Sequence, residues 1–137
     1  MLRSEDEGRS FVAVDSPYHG SFFGMGAADG GVILAYGLRG NAFRNNGADQ
    51  GWVEVDMGQE VSLTADVTLS DGSLLLADET GRVLRSADGA RSFKPLPIST
   101  HGYLSGLVQA ADGALVVAGM RGVSRIELDH LSMESKP

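Results

Sequence analysis

Two histidines and a glutamate recur at one fixed spacing along the 137-residue chain. His19, Glu60 and His101 follow one another at steps of 41 residues. Two imidazoles and a carboxylate can bind zinc or iron, so a metal site is one chemistry open to them. A polar binding rim is a second, and ordinary loop residues are a third. Because the flanking sequences SPYHG, GQEVS and STHGY differ, we expect no bound metal and no other cofactor.

Arginines form a second periodic set. Two of them lie in the similar tetrapeptides GLRG and GMRG, and three others are separated by 41 residues. These are Arg39 and Arg121, and Arg3, Arg44 and Arg85. Guanidinium groups make bidentate, charge-assisted hydrogen bonds to carboxylates, so a row of them would suit an acidic segment of a protein partner. The alternative is pairing with acidic residues of the same chain, such as Asp6, Asp49 and Asp88.

The sequence offers little support for catalysis. It contains no cysteine, and neither phosphate-binding pattern, GxGxxG or GxxxxGK[ST], occurs. The three histidines fall in predicted loops or the tail and define no Ser/His/Asp arrangement. We therefore predict no catalytic residue and favour a binding protein over an enzyme. The candidate partner-binding residues are His19, Arg39, Arg44, Glu60, Arg85, His101 and Arg121.

These residues belong to a longer repeat. The decapeptide LRSEDEGRSF at 2–11 recurs as LRSADGARSF at 84–93 and, with more substitutions, as FRNNGADQGW at 43–52. A fixed period of this size indicates a repeat architecture. In each decapeptide, polar side chains can bond turn N–H groups, glycine supplies a positive φ, and an aromatic residue can pack beneath the turn. The structural residues are Ser4, Asp6, Gly8, Phe11, Asp49, Trp52, Ser86, Asp88 and Phe93.

The decapeptides resemble the Asp-box, or bacterial neuraminidase repeat. With the Leu-Arg or Phe-Arg pair that opens each one, they are most similar to the photosystem II stability and assembly factor family, and more distantly to sialidases. The resemblance implies a β-propeller in which the motif joins the third and fourth strands of a blade. It also implies a non-catalytic scaffold with arginine-rich surfaces for a protein partner. The alternative is a sialidase-like propeller that binds or hydrolyses glycans.

The residues between the decapeptides predict an all-β fold. Short apolar runs such as 32–35 and 115–118 alternate with Asp-Gly and Arg-Gly turns, as expected for strands joined by tight hairpins. We predict a partial β-propeller of about three four-stranded antiparallel blades with a 41-residue repeat, thirteen strands in all. The predicted bounds are a partial blade at 1–15, blades at 16–57 and 58–98, an incomplete blade at 99–128, and a flexible tail at 129–137.

An arc of about three blades would expose apolar surface at both ends. One arrangement that covers it is a homodimer closing six blades, in which residues 11–15 of one chain complete the last blade of the other. The other arrangement is a longer chain of which these residues are a part. The sequence alone leaves both open.

Composition excludes some partners. With 11 basic and 18 acidic residues the formal net charge is −7, which is opposite in sign to the charge of a nucleic-acid-binding surface. No apolar run is long enough to predict a membrane span, and the N-terminal residues lack the apolar core of a signal peptide. No localisation follows, although proteins of the Asp-box type are often exported.

Overall fold

The computed structural model describes residues 1–47, 51–98, 100 and 102–130. In these residues the chain forms thirteen strands in four antiparallel sheets. The hairpin comprises β1 (Leu2–Arg3) and β2 (Val12–Ala13). The first sheet comprises β3 (Phe22–Ala28), β4 (Val32–Gly37), β5 (Ala42–Asn45) and β6 (Val53–Glu54). The second comprises β7 (Leu63–Thr68), β8 (Leu74–Asp78), β9 (Val83–Ser86) and β10 (Lys94–Pro95). The third comprises β11 (Leu104–Gln109), β12 (Leu115–Gly119) and β13 (Gly122–Ile126).

The strands of each sheet are neighbours in sequence and in space. Short connections make this possible, because they join antiparallel strands that are neighbours in the sheet. Gly72 and Gly113, for example, take φ values of 88° and 92° in the Asp-Gly turns. The predicted all-β architecture and the number of strands are confirmed.

Two apolar clusters hold the three larger sheets together. Alternate side chains of a strand face opposite sides of its sheet, and here both sides of the second sheet are covered. The cluster between the first and second sheets contains Val32, Leu34, Tyr36, Ala42, Leu74, Leu76 and Leu84. The cluster between the second and third sheets contains Ala65, Leu75, Ala77, Val83, Leu104, Leu115 and Val117. This face-to-face stacking is the arrangement of blades in a propeller.

The first strands of successive sheets lie side by side. The Thr68 hydroxyl donates to the carbonyl oxygen of Ala27 over 2.7 Å. The Thr64 hydroxyl donates to the carbonyl oxygen of Leu104 over 2.5 Å. Since β3, β7 and β11 are thus bonded in sequence, they form the common inner edge of the arc.

The hairpin differs from the larger sheets because it has only two strands. Phe11 was expected to pack beneath its turn, but its side chain is 58% exposed. The equivalent Phe93 packs against the apolar cluster between the first and second sheets, and Trp52 is partly buried. The difference arises because the hairpin contributes to neither apolar cluster.

The turns of the first and third decapeptides have the same pattern of hydrogen bonds. In the third, the Ser86 hydroxyl donates to Asp88 over 2.8 Å and accepts from the Ala90 N–H. Asp88 also accepts from the N–H and hydroxyl of Ser92. The first turn repeats these bonds with Ser4, Asp6, Gly8 and Ser10. Asp49, in the second decapeptide, lies outside the described residues.

Two successive residues of each turn have left-handed backbones. These are Glu7 and Gly8, with φ of 62° and 85°, and Gly89 and Ala90, with φ of 72° and 65°. Ala90 keeps this conformation although a side chain disfavours it. Its side chain is fully buried, so packing and the bond to Ser86 offset the backbone cost.

Replacing Asp88 with alanine should reduce stability most above its pKa. Partial burial acts to raise the pKa of Asp88, but hydrogen bonds from Ser92 and Ser86 outweigh it and lower the pKa from 3.8 to about 2. Because the folded pKa is lowered, this carboxylate stabilises the fold above about pH 4 and loses that effect as the pH falls towards 2. We expect Asp88→Ala to cost about 1 kcal/mol at neutral pH, since solvent screens the group.

Thermal melting across the acidic range measures this effect. The midpoint of Asp88→Ala should depend less on pH than that of the unaltered chain. Asp6→Ala is the matched control, because hydrogen bonds from Ser10 also lower its pKa to about 2 but the hairpin adds nothing to either apolar cluster. An equal pH dependence in all three proteins would contradict the assignment.

Candidate partner-binding site at one end of the sheets

Most of the predicted binding residues lie at one end of the sheets. The antiparallel order puts the second-to-third-strand turn and the segment entering each first strand at the same end. Arg39 and Arg121 lie in or beside such turns, and His19 and Glu60 lie in such segments. We call this the arginine end. The decapeptide turns lie at the opposite end, and His101 lies outside the described residues.

At the arginine end, the turn of one sheet packs against the segment entering the next sheet. Gly40, with φ of 76°, leaves no room for a Cβ atom beside the carbonyl oxygen of Gln59. Gly81, with φ of 97°, lies equally close to Thr100 and Gly102. The N–H of Arg39 donates to the Ser62 hydroxyl over 3.1 Å. Each contact joins two sheets, so the backbone of these turns is fixed from both sides.

The side chains of Arg39 and Arg121 have no hydrogen bond or ion pair among the described residues. Both are exposed. Arg39 has a left-handed backbone, with φ of 57°. Other arginines are paired with carboxylates, as Arg3 is with Glu5 at 3.3 Å and Arg125 is with Asp112. Two guanidinium groups at the arginine end are therefore available to an external anion.

Arg44 and Arg85 are instead held within the sheets. Arg44 is only 9% exposed, and its Nε donates to the carbonyl oxygen of Gly89 in the second sheet over 3.1 Å. Arg85 donates to the Ser73 hydroxyl at 3.3 Å and lies 3.4 Å from the Asp71 carboxylate. Sequence reasoning treated these residues like Arg39. Their strand positions direct them into and along the sheets.

An open polar cleft of about 490 Å³ lies beside Arg39. One wall is the turn at 38–41 and the other is the segment at 54–60. The lining includes Tyr18, Arg39, Asn41, Glu54, Asp56, Gln59 and Glu60. Three carboxylates and one guanidinium line the cleft, so it suits a ligand that carries both an anionic group and polar or cationic groups.

A metal site is not evident here. Within 1–47, 51–98, 100 and 102–130, no three histidine, aspartate or glutamate side chains are placed to hold an ion together. His19 is exposed next to Tyr18, and Glu60 lines the cleft.

Sequence reasoning missed a buried tyrosine–carboxylate pair between the first and second sheets. The Tyr36 hydroxyl donates to Asp66 Oδ1 over 2.6 Å, and Tyr36 is only 2% exposed. Burial raises the pKa of Asp66, and the bond from Tyr36 opposes that rise. Burial, together with the bond to Asp66, raises the pKa of Tyr36. The ring passes over Gly24, where a Cβ atom would overlap the tyrosine hydroxyl.

A second missed group stands at the arginine end of the second sheet. The Asp78 carboxylate is fully buried and accepts from the Thr80 N–H and hydroxyl at 2.9 and 2.7 Å. It also accepts from the N–H and Nε of Arg82 at 3.0 and 2.7 Å. Where the first and third sheets present an arginine, this turn is closed by an internal ion pair.

The repeat itself carries the signal that could have found both groups. At steps of 41 residues, Tyr36 aligns with Ala77 and Ala118, and Asp66 aligns with Met25 and Leu107. Asp78 aligns with Gly37 and Gly119. Where one repeat has a large or ionisable residue and the other repeats have small or apolar residues at the equivalent position, that residue is expected to have a specific contact of its own.

Comparison with known proteins identifies the class of fold. No family model and no curated protein matches the sequence. Among solved structures, the chain is similar to a catalytically inactive variant of virginiamycin B lyase from Staphylococcus aureus, crystallised with quinupristin. The TM-score is 0.71 at 15% identity, over 90% of this chain. At this identity the likeness shows the fold alone, which is that of a β-propeller.

The match also limits what can be transferred. This chain spans 44% of the lyase chain, so it corresponds to an arc of such a propeller. The described residues also form short 3-10 turns at Asp29–Gly31, Leu38–Gly40 and Leu128–His130. No helix among the described residues is long and apolar enough to cross a membrane.

Proposed function

We propose that this chain is a non-catalytic β-propeller scaffold that binds another protein through its arginine end, like an assembly or stability factor. The observation that carries the proposal is that Arg39 and Arg121 are exposed and unpaired among the described residues. They occupy equivalent turns of the first and third sheets. Rigid turns that present free guanidinium groups favour recognition of carboxylates.

The proposal includes the repeat units themselves. We take the decapeptides to be Asp-boxes of the photosystem II assembly-factor type, and we take residues 16–57, 58–98 and 99–128 to be successive blades after a partial blade at 1–15. The matching hydrogen-bond networks around Asp6 and Asp88 support the first point. The strand order within each sheet supports the second.

The partner must present more than negative charge. Glu54, Asp56 and Glu60 lie in the same cleft as Arg39 and would repel a uniformly acidic segment. A segment that directs one carboxylate to Arg39 and neutral or basic groups to the three acids fits better. Arg121 has no such cleft of carboxylates and would bind a second acidic group of the partner.

Charge reversal tests the arginine end. We expect Arg39→Glu combined with Arg121→Glu to weaken partner binding by about tenfold or more, because each charged hydrogen bond contributes about 1.5–3 kcal/mol. Co-purification of the tagged chain from cells of its source, quantified by mass spectrometry, measures the change. Arg9→Glu is the matched control, since Arg9 is exposed at the opposite end. Equal recovery of every partner by all three proteins would exclude this surface.

Glycan binding is the second candidate, and the cleft is what favours it. A tyrosine ring beside amides and carboxylates can bind sugar hydroxyls, and Tyr18, Asn41 and Gln59 line the cleft. Hydrolysis of the sialidase type needs an accessible tyrosine nucleophile. The hydroxyl of Tyr36 is buried against Asp66, so Tyr18 is the tyrosine that the cleft offers for this role. Turnover of a fluorogenic sialoside would favour this candidate over the scaffold.

The outer faces of the first and third sheets also need to be covered by other protein. Either a second copy closes a six-bladed homodimer or the rest of a longer chain supplies the remaining blades. Exposed apolar residues on the end sheets support such a cover.

A further inference from the structure

We infer that the chain associates with a second copy head to tail, by stacking the third sheet of one copy on the first sheet of the other. The inference deepens the proposed completion of the arc. It rests on the two outer sheet faces and on one backbone contact at the arginine end, and it does not use the side chains of Arg39 and Arg121. We call the free side of the third sheet the trailing face. We call the free side of the first sheet the leading face.

The trailing face has the composition of a surface built for stacking. Its strands place Gly106, Ala118 and Val123 in one cross-strand row, and Val108, Val116 and Arg125 in the next. Val108 is 54% exposed and Val123 is 73% exposed. In a lone sheet such residues would gain nothing from being apolar, because solvent contacts them directly.

The second sheet shows what this face contacts when it is covered. The equivalent rows there are Ala65, Ala77 and Val83, followed by Val67 and Leu75. All five belong to or pack against the cluster beneath the third sheet. The two faces match row by row in small and branched side chains. The natural cover for the trailing face is therefore another sheet of this repeat.

The leading face is the complementary surface. Its rows contain Met25, Ala35 and Phe43, and Ala27 and Ile33. Ala35 and Phe43 are already buried, and the rings of Tyr18 and Phe22 lie against Phe43. The open part of the face is therefore Met25, Ala27 and Ile33. Met25 is 54% exposed and Ile33 is 44% exposed. At steps of 41 residues, Ile33, Ala35 and Phe43 correspond to Leu74, Leu76 and Leu84, which are buried beneath the first sheet. This face therefore has the character of one that receives a preceding sheet.

A gap at the arginine end supports the same contact. We call the contact between a second-to-third-strand turn and the segment entering the next sheet a seam. Gly40 and Gly81 each pack against a segment entering the next sheet, but Gly122, with φ of 94°, has no atom within 4 Å of its would-be Cβ. The first seam is filled by Gln59 and Val61, and the second by Thr100 and Gly102. Their equivalent one repeat earlier is 18–20, which precedes the first sheet. A second copy would bring this segment to Gly122.

The two faces are different, so the contact is heterologous. A heterologous contact closes into a ring when the rotation between copies allows it. Two copies would supply six stacked sheets, within the usual range of four to eight blades.

Light scattering on a size-exclusion column, over a wide range of concentrations, tests the inference. We expect a species of twice the 14.4 kDa chain mass that dissociates on dilution. Val108→Lys on the trailing face and Ile33→Lys on the leading face should each give a monomer, because burying a lysine in the contact is costly. Val53→Lys, on an exposed edge strand, is the control and should leave the dimer intact.

Mixing the two monomeric variants provides the decisive test of polarity. One junction of the mixed pair would join an unaltered trailing face to an unaltered leading face, so a weaker dimer should reappear. A dimer that survives Val108→Lys but not Ile33→Lys would overturn head-to-tail stacking in favour of paired leading faces. A monomer at every concentration would overturn self-association and assign the ends of the arc to another polypeptide.

Two checks keep the result interpretable. Circular dichroism and thermal melting establish that each variant is folded, and Val123→Lys replaces Val108→Lys if the latter unfolds, because Val123 is the more exposed. The variant Arg39→Glu with Arg121→Glu should form the dimer normally. Loss of partner binding without loss of the dimer, or the reverse, separates failure of one proposal from failure of the other.

Discussion

Replacing Asp78 with alanine is expected to lower the free energy of unfolding by about 3–5 kcal/mol, the usual cost of removing one member of a buried ion pair. The carboxylate is fully buried and accepts four hydrogen bonds from Thr80 and Arg82. Its loss would leave the Arg82 guanidinium, whose side chain is 25% exposed, without its partner. Urea unfolding followed by circular dichroism measures the change.

Two further variants separate the causes of this loss. Asp78→Ala with Arg82→Met should recover part of the stability, because the orphaned charge is removed as well. Asp112→Ala removes the partner of Arg125 in an exposed ion pair and should change stability little. If Asp78→Ala changed the free energy of unfolding as little as Asp112→Ala, the ion pair between Asp78 and Arg82 would not be what stabilises this turn.

Replacing Tyr36 with alanine is expected to cost about 3–5 kcal/mol, as for other large buried aromatic side chains. Alanine is the residue that the second and third sheets carry at this position, Ala77 and Ala118. Even so, a cavity would form beside Gly24, and Asp66 would lose its hydrogen bond. Urea unfolding again gives the size of the effect.

Tyr36→Phe isolates the hydroxyl and should cost about 1–3 kcal/mol. Burial raises the folded pKa of Asp66, so the neutral acid is favoured in the fold and stability falls as the pH rises through that pKa. The bond from Tyr36 lowers this pKa, and its loss should therefore cost more at neutral than at acidic pH. Adding Asp66→Leu, by analogy with Leu107, should restore stability and remove the pH dependence. A loss that is independent of pH would argue against the hydrogen bond.

The fold was predictable because the pattern of strands and turns repeats along the sequence every 41 residues. The step from Phe22 to Leu63 to Leu104 marks the first strand of each sheet, and turn residues between apolar runs locate the remaining strands. Phe11 differed from expectation because its exposure depends on what stacks against the hairpin, which a local pattern does not encode.

The candidate site was predictable only in part. The period predicted that Arg39 and Arg121 take equivalent positions in stacked sheets, and likewise His19 and Glu60. The strand order of the structure then puts the two sets at the same end. The period could not show that Arg44 differs from Arg39 and Arg121. Arg44 donates to the Gly89 carbonyl oxygen of the neighbouring sheet, and the direction of a side chain is not encoded in the spacing of residues. Tyr36 and Asp66 form a pair between two sheets, but neither residue type recurs at the equivalent positions of the other repeats. A search for repeated residues therefore does not find them.

The second sheet is flanked by the first and third, whereas each of those has one larger neighbour in the described chain. The partly buried Asp66 and the fully buried Asp78 both lie on strands of this middle sheet. If the repeat arose by duplication, its copies ceased to be equivalent once they were stacked. The middle copy could then diverge into polar contacts with a fixed neighbour on either side. The end copies had to keep surfaces that any further copy could accept.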